Sequence, residues 1–386
     1  MSDAKRSGSG GMHRRSNAAR PRLQAAQGRG AVSNPAGRFE ALREEAFDDG
    51  WDARDPPPER VPTEVIIDRT KSIIARNDSP DIPFDRSINP YRGCEHGCIY
   101  CFARPSHAYL GFSPGLDFET KIVAKPEAAG LLRRELRKRG YEVGPLALGS
   151  NTDPYQPVER DLRITRQLLE VLSEARHPTG IVTKSALILR DLDIIVPMAK
   201  DGLAQVMVSV TTLRRDLARA MEPRAAAPAR RLATIVALRE AGVPVGVLAS
   251  PMIPGLNDSE LEAILEAAAD AGAGSAGFIL VRLPHELKEL FSEWLETHVP
   301  TRAAHVESLI RDTRGGRLYE ARFGERMRGQ GPYAELLANR FRVASRRYGL
   351  DRKHPPFRLD LFRPPRAPGA PRSLFDKVAP SKEGSP

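Results

Sequence analysis

Short apolar runs alternate with longer helical patterns through the middle of the chain. Five runs are rich in β-forming residues, and a less obvious one precedes the cysteines; they lie at 145–150, 180–184, 205–210, 244–250, 276–282 and 87–93. Continuous apolar strands separated by helices are typical of a parallel sheet covered by helices. Six such units are too few for a complete eight-fold barrel, so the pattern predicts an α/β fold with a partial barrel or a doubly wound sheet.

The flanking regions have different patterns. Residues 1–36 are rich in Gly, Ser, Ala and Arg without an apolar period, which predicts a disordered basic tail. An N-terminal extension, 37–84, precedes the barrel core at 85–284. Three further helical patterns predict a helical C-terminal extension at 285–350, and 351–386 form a Pro-rich tail.

The net charge of +10 is concentrated at the two ends of the 386-residue chain. Residues 1–36 carry seven Lys and Arg against one Asp, and residues 352–386 carry eight against three acidic residues. Basic tails bind polyanions through counterion release, or they only solvate the protein; charge alone does not choose between the two. No apolar run approaches the ~18 residues of a membrane span, and no secretory signal is evident, so we expect a cytoplasmic protein without a membrane partner.

The chain has three cysteines, Cys94, Cys98 and Cys101, in the sequence RGCEHGCIYCFARP. An odd and tightly clustered set predicts a metal site in a reducing compartment rather than disulfides. Three thiolates can bind three corners of a [4Fe–4S] cluster and leave one iron open. The alternative is a Cys3His zinc site with His96 or His107 as the fourth ligand.

This spacing, with Tyr100 directly before the last cysteine, resembles the signature of the radical S-adenosylmethionine (radical SAM) superfamily. The resemblance covers about 85–285 and implies a partial (βα)6 barrel with the cluster loop after its first strand. It also implies a [4Fe–4S] cluster whose open iron chelates S-adenosylmethionine.

Polar residues at predicted strand ends are candidates for binding that cofactor. Thr152 and Asp153 follow the second strand, Lys184 the third and Ser209 the fourth, and Glu222 lies in the following MEPR sequence. A lysine in this place can pair with the methionine carboxylate, and Glu222 can accept hydrogen bonds from ribose hydroxyls. For each residue the alternative is an ordinary turn or a solvated side chain.

The sequences YRGCEHGCIYCFARPSH, TDPYQPVE, TKS, VSVTT and MEPR resemble the spore-photoproduct-lyase-like branch. GRGAVSNPAGRFE (28–40) and RFGERMRGQGPYAEL (322–336) resemble an uncharacterised bacterial subfamily of it. That resemblance implies cofactor contacts at Tyr100, Thr152, Lys184 and Ser209. The lyase that names the branch uses an additional cysteine as a hydrogen-atom donor, and this chain has none. Phe102 also replaces a tyrosine of that lyase.

The sequence therefore predicts a lyase-like radical SAM enzyme that forms a 5′-deoxyadenosyl radical with electrons from a reductant such as flavodoxin or ferredoxin. We expect it to act on a nucleic acid, held in part by the basic tails. The alternatives are radical modification of a protein or small molecule, and a non-catalytic iron–sulfur protein that binds nucleic acid. The sequence does not identify a catalytic residue.

Overall fold

A computed structural model describes residues 26–39, 61–352 and 354–366. The strands are β1 (Glu64–Ile67), β2 (Ile74–Arg76), β3 (Arg86–Ile88), β4 (Tyr91–Arg92), β5 (Lys121–Ala124), β6 (Leu146–Leu148), β7 (Thr179–Thr183), β8 (Ala204–Ser209), β9 (Val245–Met252) and β10 (Ala276–Leu280). The helices are α1 (Asp117–Thr120), α2 (Ala128–Leu136), α3 (Glu159–Leu162), α4 (Ile164–Glu174), α5 (Leu192–Lys200), α6 (Arg215–Met221), α7 (Pro228–Glu240), α8 (Leu261–Asp270), α9 (Leu287–His298), α10 (Ala303–Asp312) and α11 (Gly331–Arg347). Short 3-10 helices cover Arg104–Leu110, Ala186–Asp191 and Asp258–Glu260.

The main sheet has seven strands in the order β10-β9-β8-β7-β6-β3-β2. Six of them, β3 and β6 to β10, run parallel and coincide with the six apolar runs of the sequence. The predicted partial (βα)6 barrel is therefore confirmed. Because all six strands point the same way, the loops that follow them meet at one edge of the sheet.

A smaller sheet was not predicted from the sequence. It has the order β1-β5-β4, with β1 parallel and β4 antiparallel to β5. Its strands have two to four residues each, and the residues of β1 are mostly exposed. Strands this short show no clear apolar periodicity in the sequence. The small sheet nevertheless matters, because β4 ends two residues before Cys94.

The helices cover the main sheet with one apolar face each. In α4, Leu168, Leu169 and Leu172 are fully buried in the same core as the strand residues Leu148, Ile181 and Val206. Their spacing of three and four residues places them on one side of the helix. This core supports the strands, and thereby the loops at their carboxyl ends.

The prediction of a disordered tail over 1–36 is wrong for residues 26–36, whereas 1–25 lie outside the described residues. Residues 29–32 are buried, with Ala31 in the core next to the cysteine loop. The segment forms no helix or strand, so an apolar period could not reveal it. Hydrogen bonds to the carboxylate of Glu119 hold it in place.

Residues 314–330, hereafter the closing segment, join the two edges of the main sheet. On one side, the backbone N–H of Leu280 at the end of β10 donates to the carbonyl of Met327 over 3.0 Å. On the other side, Arg326 Nε lies 2.5 Å and Gly324 N 2.7 Å from the carboxylate of Asp81, between β2 and β3. The closing segment therefore covers the side that an incomplete barrel leaves open.

Helices α9 to α11 form the predicted helical extension, and the described part of the Pro-rich tail continues beyond them. Residues 354–366 have irregular backbone and pack on the amino-terminal side of the strands, where Arg358 N donates to Gly202 O over 3.1 Å. Arg363 N donates to Ala175 O over 3.0 Å. In the described part of the chain, no helix combines the length and apolarity that crossing a membrane requires.

Arg314 anchors the closing segment and provides a test of it. Its buried guanidinium donates to the carbonyls of Val281 over 2.8 Å and Glu325 over 2.7 Å. Arg314→Met removes both charge-assisted bonds, so we expect the free energy of unfolding to fall by about 2–4 kcal/mol. Urea unfolding measures this loss, and limited proteolysis should cut the closing segment sooner.

The exposed Arg317 of the same segment supplies the matched control. Arg317→Met should leave both the urea midpoint and the cleavage rate close to those of the parent. Equal behaviour of the two variants would contradict an anchoring role for Arg314.

Candidate functional site

The cysteine loop follows β3 and β4 and lies at the carboxyl edge of the main sheet. It folds tightly, with Gly97 N donating to Cys94 O over 3.3 Å and Cys101 N to Cys98 O over 3.1 Å. Gly93 and Gly97 have φ angles of +80° and +67°, which other residues rarely adopt. The glycines therefore allow the turns that bring the three thiols together.

Cys94 and Cys98 are buried, and Cys101 is partly exposed. All three lie within electrostatic reach of one another. Burial, together with neighbouring charges, raises the pKa of the Cys94 and Cys98 thiols. Both are therefore protonated at neutral pH in the metal-free protein, and a metal must displace their protons to bind.

A buried ion pair between Arg104 and Glu119 supports the cysteine loop. Arg104 donates from Nε to Cys98 O over 2.9 Å and pairs with the Glu119 carboxylate. The same carboxylate accepts the backbone N–H groups of Gly30 and Ala31, each over 2.8 Å. The N-terminal segment 26–39 is thereby fastened to the loop through one carboxylate.

The contact between this segment and the loop is very close. A Cβ atom placed on Gly30 would lie 1.9 Å from the carbonyl oxygen of Gly97. Only a glycine fits at this position without moving the backbone of the cysteine loop. The sequence GRGA therefore has a packing role that its composition does not indicate.

Thr152 and Asp153, both predicted cofactor residues, have partners within the protein. The Thr152 hydroxyl donates to Gly93 O over 2.7 Å. The Asp153 carboxylate accepts from Thr183 Oγ1 and Lys184 N, each over 2.7 Å, and lies 3.4 Å from His96 Nδ1. Burial favours the protonated acid, but His96 and these hydrogen bonds outweigh it and lower the pKa of Asp153 to about 2. Both residues connect the cysteine loop to neighbouring strand ends.

Glu222 also lies in an internal network. Its fully buried carboxylate pairs with Arg231 and accepts hydrogen bonds from Tyr100 Oη and, over 2.7 Å, Thr211 Oγ1. Arg231 further donates to the carbonyl of Ser209 over 3.2 Å. The network joins Tyr100 of the cysteine loop to the end of β8. The carboxylate that was predicted to meet a ribose is therefore directed at protein groups.

Lys184 differs from these residues because its ammonium has no hydrogen-bond or ion-pair partner among the described residues. It lies directly after β7, and its Nζ is 5.8 Å from the ring centroid of Tyr100. Its charge acts on the buried Cys98 thiol, whose pKa it lowers against the larger effect of burial. The hydroxyl of Ser209, which ends β8, likewise forms no side-chain hydrogen bond to another described residue.

The two histidines considered as zinc ligands, His96 and His107, have different partners. His96 faces Asp153, whereas His107 packs against Phe118 and bonds through Nε2 to Lys121 O at 2.9 Å. Burial lowers the pKa of His107 to about 4. Among the described residues, no three His, Cys, Asp or Glu side chains are placed to hold one metal ion. In an iron–sulfur cube each thiolate binds a different iron, so its ligands need not converge on one point.

The family model described as "Radical SAM superfamily" matches residues 88–268. The match begins at the end of β3, runs through the cysteine loop and ends in α8. An uncharacterised protein of Mycobacterium tuberculosis (strain ATCC 25618 / H37Rv) is 38% identical over 232 residues, which cover 60% of this chain and 68% of that protein. The chain belongs to the radical SAM superfamily. It is a radical SAM enzyme, and the family uses S-adenosylmethionine and an iron–sulfur cluster.

A more distant relative of this radical SAM enzyme is an uncharacterised protein of Methanocaldococcus jannaschii, 29% identical over 173 residues, covering 45% of this chain and 62% of that one. Among solved structures, spore photoproduct lyase complexed with dinucleoside spore photoproduct superposes with a TM-score of 0.51 at 16% identity. The superposition covers 74% of this chain and 78% of the lyase. The likeness to the lyase is one of fold.

Several residues of the radical SAM site escaped prediction. Glu119 and Arg104 support the cysteine loop, and Arg231 acts on Tyr100 through Glu222. For Arg231 the only signal in the sequence is a charged residue on the face of α7 that also carries Ile235 and Leu238. Such a residue has many possible partners, so the sequence alone does not indicate the contact.

Gly30→Ala tests the attachment of segment 26–39 to the radical SAM cysteine loop. The added methyl group must displace the loop, and this should expose the Cys94 and Cys98 thiols. In the metal-free protein we expect both to react with a thiol reagent at least tenfold faster. Stopped-flow absorbance with an aromatic disulfide, under anaerobic conditions, measures the rate.

Gly28→Ala is the control, because no heavy atom lies within 4 Å of a Cβ atom at that position. Gly28 has a positive φ of +75°, so this variant strains the same segment without touching the loop. Thiol rates raised equally in both variants would mean that general loosening, not the Gly30–Gly97 contact, protects the thiols.

Proposed function

We propose that Cys94, Cys98 and Cys101 bind three irons of a [4Fe–4S] cluster, and that S-adenosylmethionine binds at the fourth. The donor set fits this group: three thiols lie on one tight loop, two of them buried and all within electrostatic reach of one another. The chain has no fourth cysteine, so one iron is left for another ligand. A Cβ atom on Gly93 would lie 2.8 Å from Phe118 O and one on Gly97 2.6 Å from Glu119 Oε2, so glycines let the loop pack closely at both positions.

The unpaired ammonium of Lys184 is the observation that carries the cofactor assignment. A partly buried cation without a protein counterion favours a bound anion. Lys184 lies beside Tyr100 and acts on Cys98. We therefore assign Lys184 to the carboxylate of S-adenosylmethionine. The neighbouring Ser209 hydroxyl and the ring of Tyr100 complete the side of the site nearest β8.

The remaining predicted site residues act through others. Thr152 donates a hydrogen bond to Gly93 O, and Asp153 accepts one from Lys184 N and faces His96. Both residues therefore fix the position of the cysteine loop relative to β7. Glu222 holds Tyr100 in place through its network with Arg231. We infer that these three are positioning residues, each with its charge or hydroxyl satisfied before any cofactor binds.

When bound, the cluster and S-adenosylmethionine together supply reductive cleavage of the sulfonium and hydrogen abstraction from a substrate. The protein binds the cofactor at Lys184, orients it against Tyr100 and restricts water around the two buried thiols. An electron donor such as flavodoxin or ferredoxin is required for turnover. Cys101 is the most exposed of the three thiols, so we infer that the substrate and solvent approach from its side.

For the substrate we propose a nucleic acid, modified or cleaved in a lyase-like reaction. The basic ends of the chain, which can retain a polyanion, support this choice. The absence of any cysteine beyond the three of the loop argues against a mechanism that needs a further thiol as hydrogen donor. A protein or small-molecule substrate is the second candidate, supported by the nearly neutral middle of the chain.

We predict that the three cysteines act as one unit, because a cube held by two thiolates is labile. Each single Cys→Ala variant, reconstituted anaerobically with iron and sulfide, should lose most of its iron and all formation of 5′-deoxyadenosine. Iron assay and chromatography after addition of dithionite and S-adenosylmethionine measure both. Ser106→Ala, an exposed change in the adjoining 3-10 helix, should behave like the parent. Full iron and full cleavage in Cys94→Ala would contradict the ligand assignment.

Lys184→Ala should weaken binding of S-adenosylmethionine by about 1.5–3 kcal/mol, the cost of a lost charge-assisted hydrogen bond. The iron content should stay normal, because Lys184 is not a ligand. Calorimetry on the reconstituted protein measures the affinity. Lys200→Ala, at the exposed end of α5, removes the same charge far from the loop and should not change it. An unchanged affinity in Lys184→Ala would show that this lysine is only solvated.

A further inference from the structure

The closing segment is strongly basic. Residues 314–330 contain five arginines and two glutamates. Arg314 is buried as an anchor, Arg326 pairs with Asp81 and Arg322 with Glu325. Arg317 and Arg328 are exposed and have no ion-pair partner among the described residues. The segment thus presents positive charge on the side of the barrel that it covers.

Two arginine–phenylalanine pairs accompany this charge. The guanidinium carbon of Arg282 lies 4.1 Å from the ring centroid of Phe102, directly after the last cysteine. That of Arg326 lies 4.5 Å from the ring of Phe323 in the closing segment. Large apolar rings are normally buried, yet Phe102 is 41% and Phe323 is 52% exposed.

The two pairs are neighbours. Asp81 is bound to Arg326 and also lies within electrostatic reach of Arg282, which in turn lies within reach of Cys101. Arg282 is partly buried at the carboxyl end of β10, and no described residue accepts a hydrogen bond from it or pairs with it. Asp81 already forms an ion pair with Arg326, so the partly buried guanidinium of Arg282 is available to bind an external anion.

We propose that the surface formed by Arg282, Phe102, Arg326, Phe323, Arg317 and Arg328, hereafter the basic–aromatic surface, binds a single-stranded nucleic acid. The guanidinium groups of Arg282, Arg317 and Arg328 hold phosphates, and the exposed rings stack on unpaired bases. Exposed rings interleaved with cations are how proteins bind single strands, because every base has a face to stack and every linkage a charge. An acidic peptide would use the arginines but leave the rings without a matching partner.

The position of the surface connects it to the chemistry. Phe102 directly follows Cys101 and packs against Arg282, whereas Phe323 packs against Arg326 within the closing segment. A strand held along it places one nucleotide next to the cysteine loop and its neighbours outside. In this respect the proposal rests on the proposed function, since the nucleotide beside Cys101 is the one to react. The binding itself does not depend on the reaction.

The test uses reconstituted holoenzyme, a fluorescein-labelled single-stranded DNA or RNA of 20 nucleotides, and anaerobic anisotropy over a series of salt concentrations. Arg282→Gln should weaken binding about tenfold and reduce the slope of log K against log salt by about 0.7, as for one lost phosphate contact on a single strand. Phe323→Leu should weaken binding about fivefold or more with the slope unchanged, because it removes stacking and no charge.

Controls separate local from general effects. Arg139→Gln removes an exposed charge from the loop between α2 and β6, at the opposite end of the strands, and should stay within twofold of the parent. Arg328→Gln tests the same surface at an exposed position where folding is not at risk, and should also reduce the slope by about 0.7. Equal losses in Arg139→Gln and Arg328→Gln would mean non-specific attraction and would overturn the proposal.

Other outcomes also decide it. Absence of binding by the parent, or tighter binding of a polyglutamate peptide than of the oligonucleotide, would overturn it and favour a protein substrate. If Arg282→Gln lost affinity for S-adenosylmethionine and kept its affinity for the oligonucleotide, Arg282 would belong to the cofactor site and the proposal would be overturned. Formation of 5′-deoxyadenosine by the parent is measured in the same preparation: its absence contradicts the proposed function and leaves the result on binding intact.

Discussion

Glu119 buries its carboxylate among donors from two separate parts of the chain. Arg104 reaches it from the helix after the cysteines, and Gly30 and Ala31 reach it from the N-terminal segment. A buried carboxylate with fewer partners would be costly, since removing one member of a buried pair typically costs about 3–5 kcal/mol. The course of the cysteine loop, the path of segment 26–39 and the burial of two thiols all depend on this arrangement.

The same principle recurs at Glu222 and Asp153. Each is a buried acid whose oxygens are shared among groups from the cysteine loop and from the ends of different strands. The strand-end groups that contact these acids are fixed by the strands, and a well-packed core fixes the strands. The cysteine loop is therefore held as rigidly as the barrel. A site built in this way is already ordered for a cofactor, so little ordering entropy is lost on binding.

The six parallel strands and the cysteine loop could be predicted because their signals are local. An apolar run such as QVMVSV needs no partner to be recognised, and three cysteines within eight residues leave few interpretations. Lys184 and Ser209 follow from strand ends in the same way. Segment 26–39 could not be predicted, since its burial comes from polar contacts to Glu119, about 90 residues away. The partners of Glu222 could not be predicted either, since Arg231 lies within the helical pattern of α7 and gives no sign of the contact.

The bridge between Asp81 and Arg326 spans 245 residues of sequence. A ribosome adds roughly 5–20 residues per second, so Asp81 is synthesised about 10–50 s before Arg326. During that interval the two edges of the sheet have no connection through the closing segment, and the side of the barrel near Cys101 stays uncovered. The order of synthesis therefore leaves the main sheet open on this side until residues 314–330 have been made.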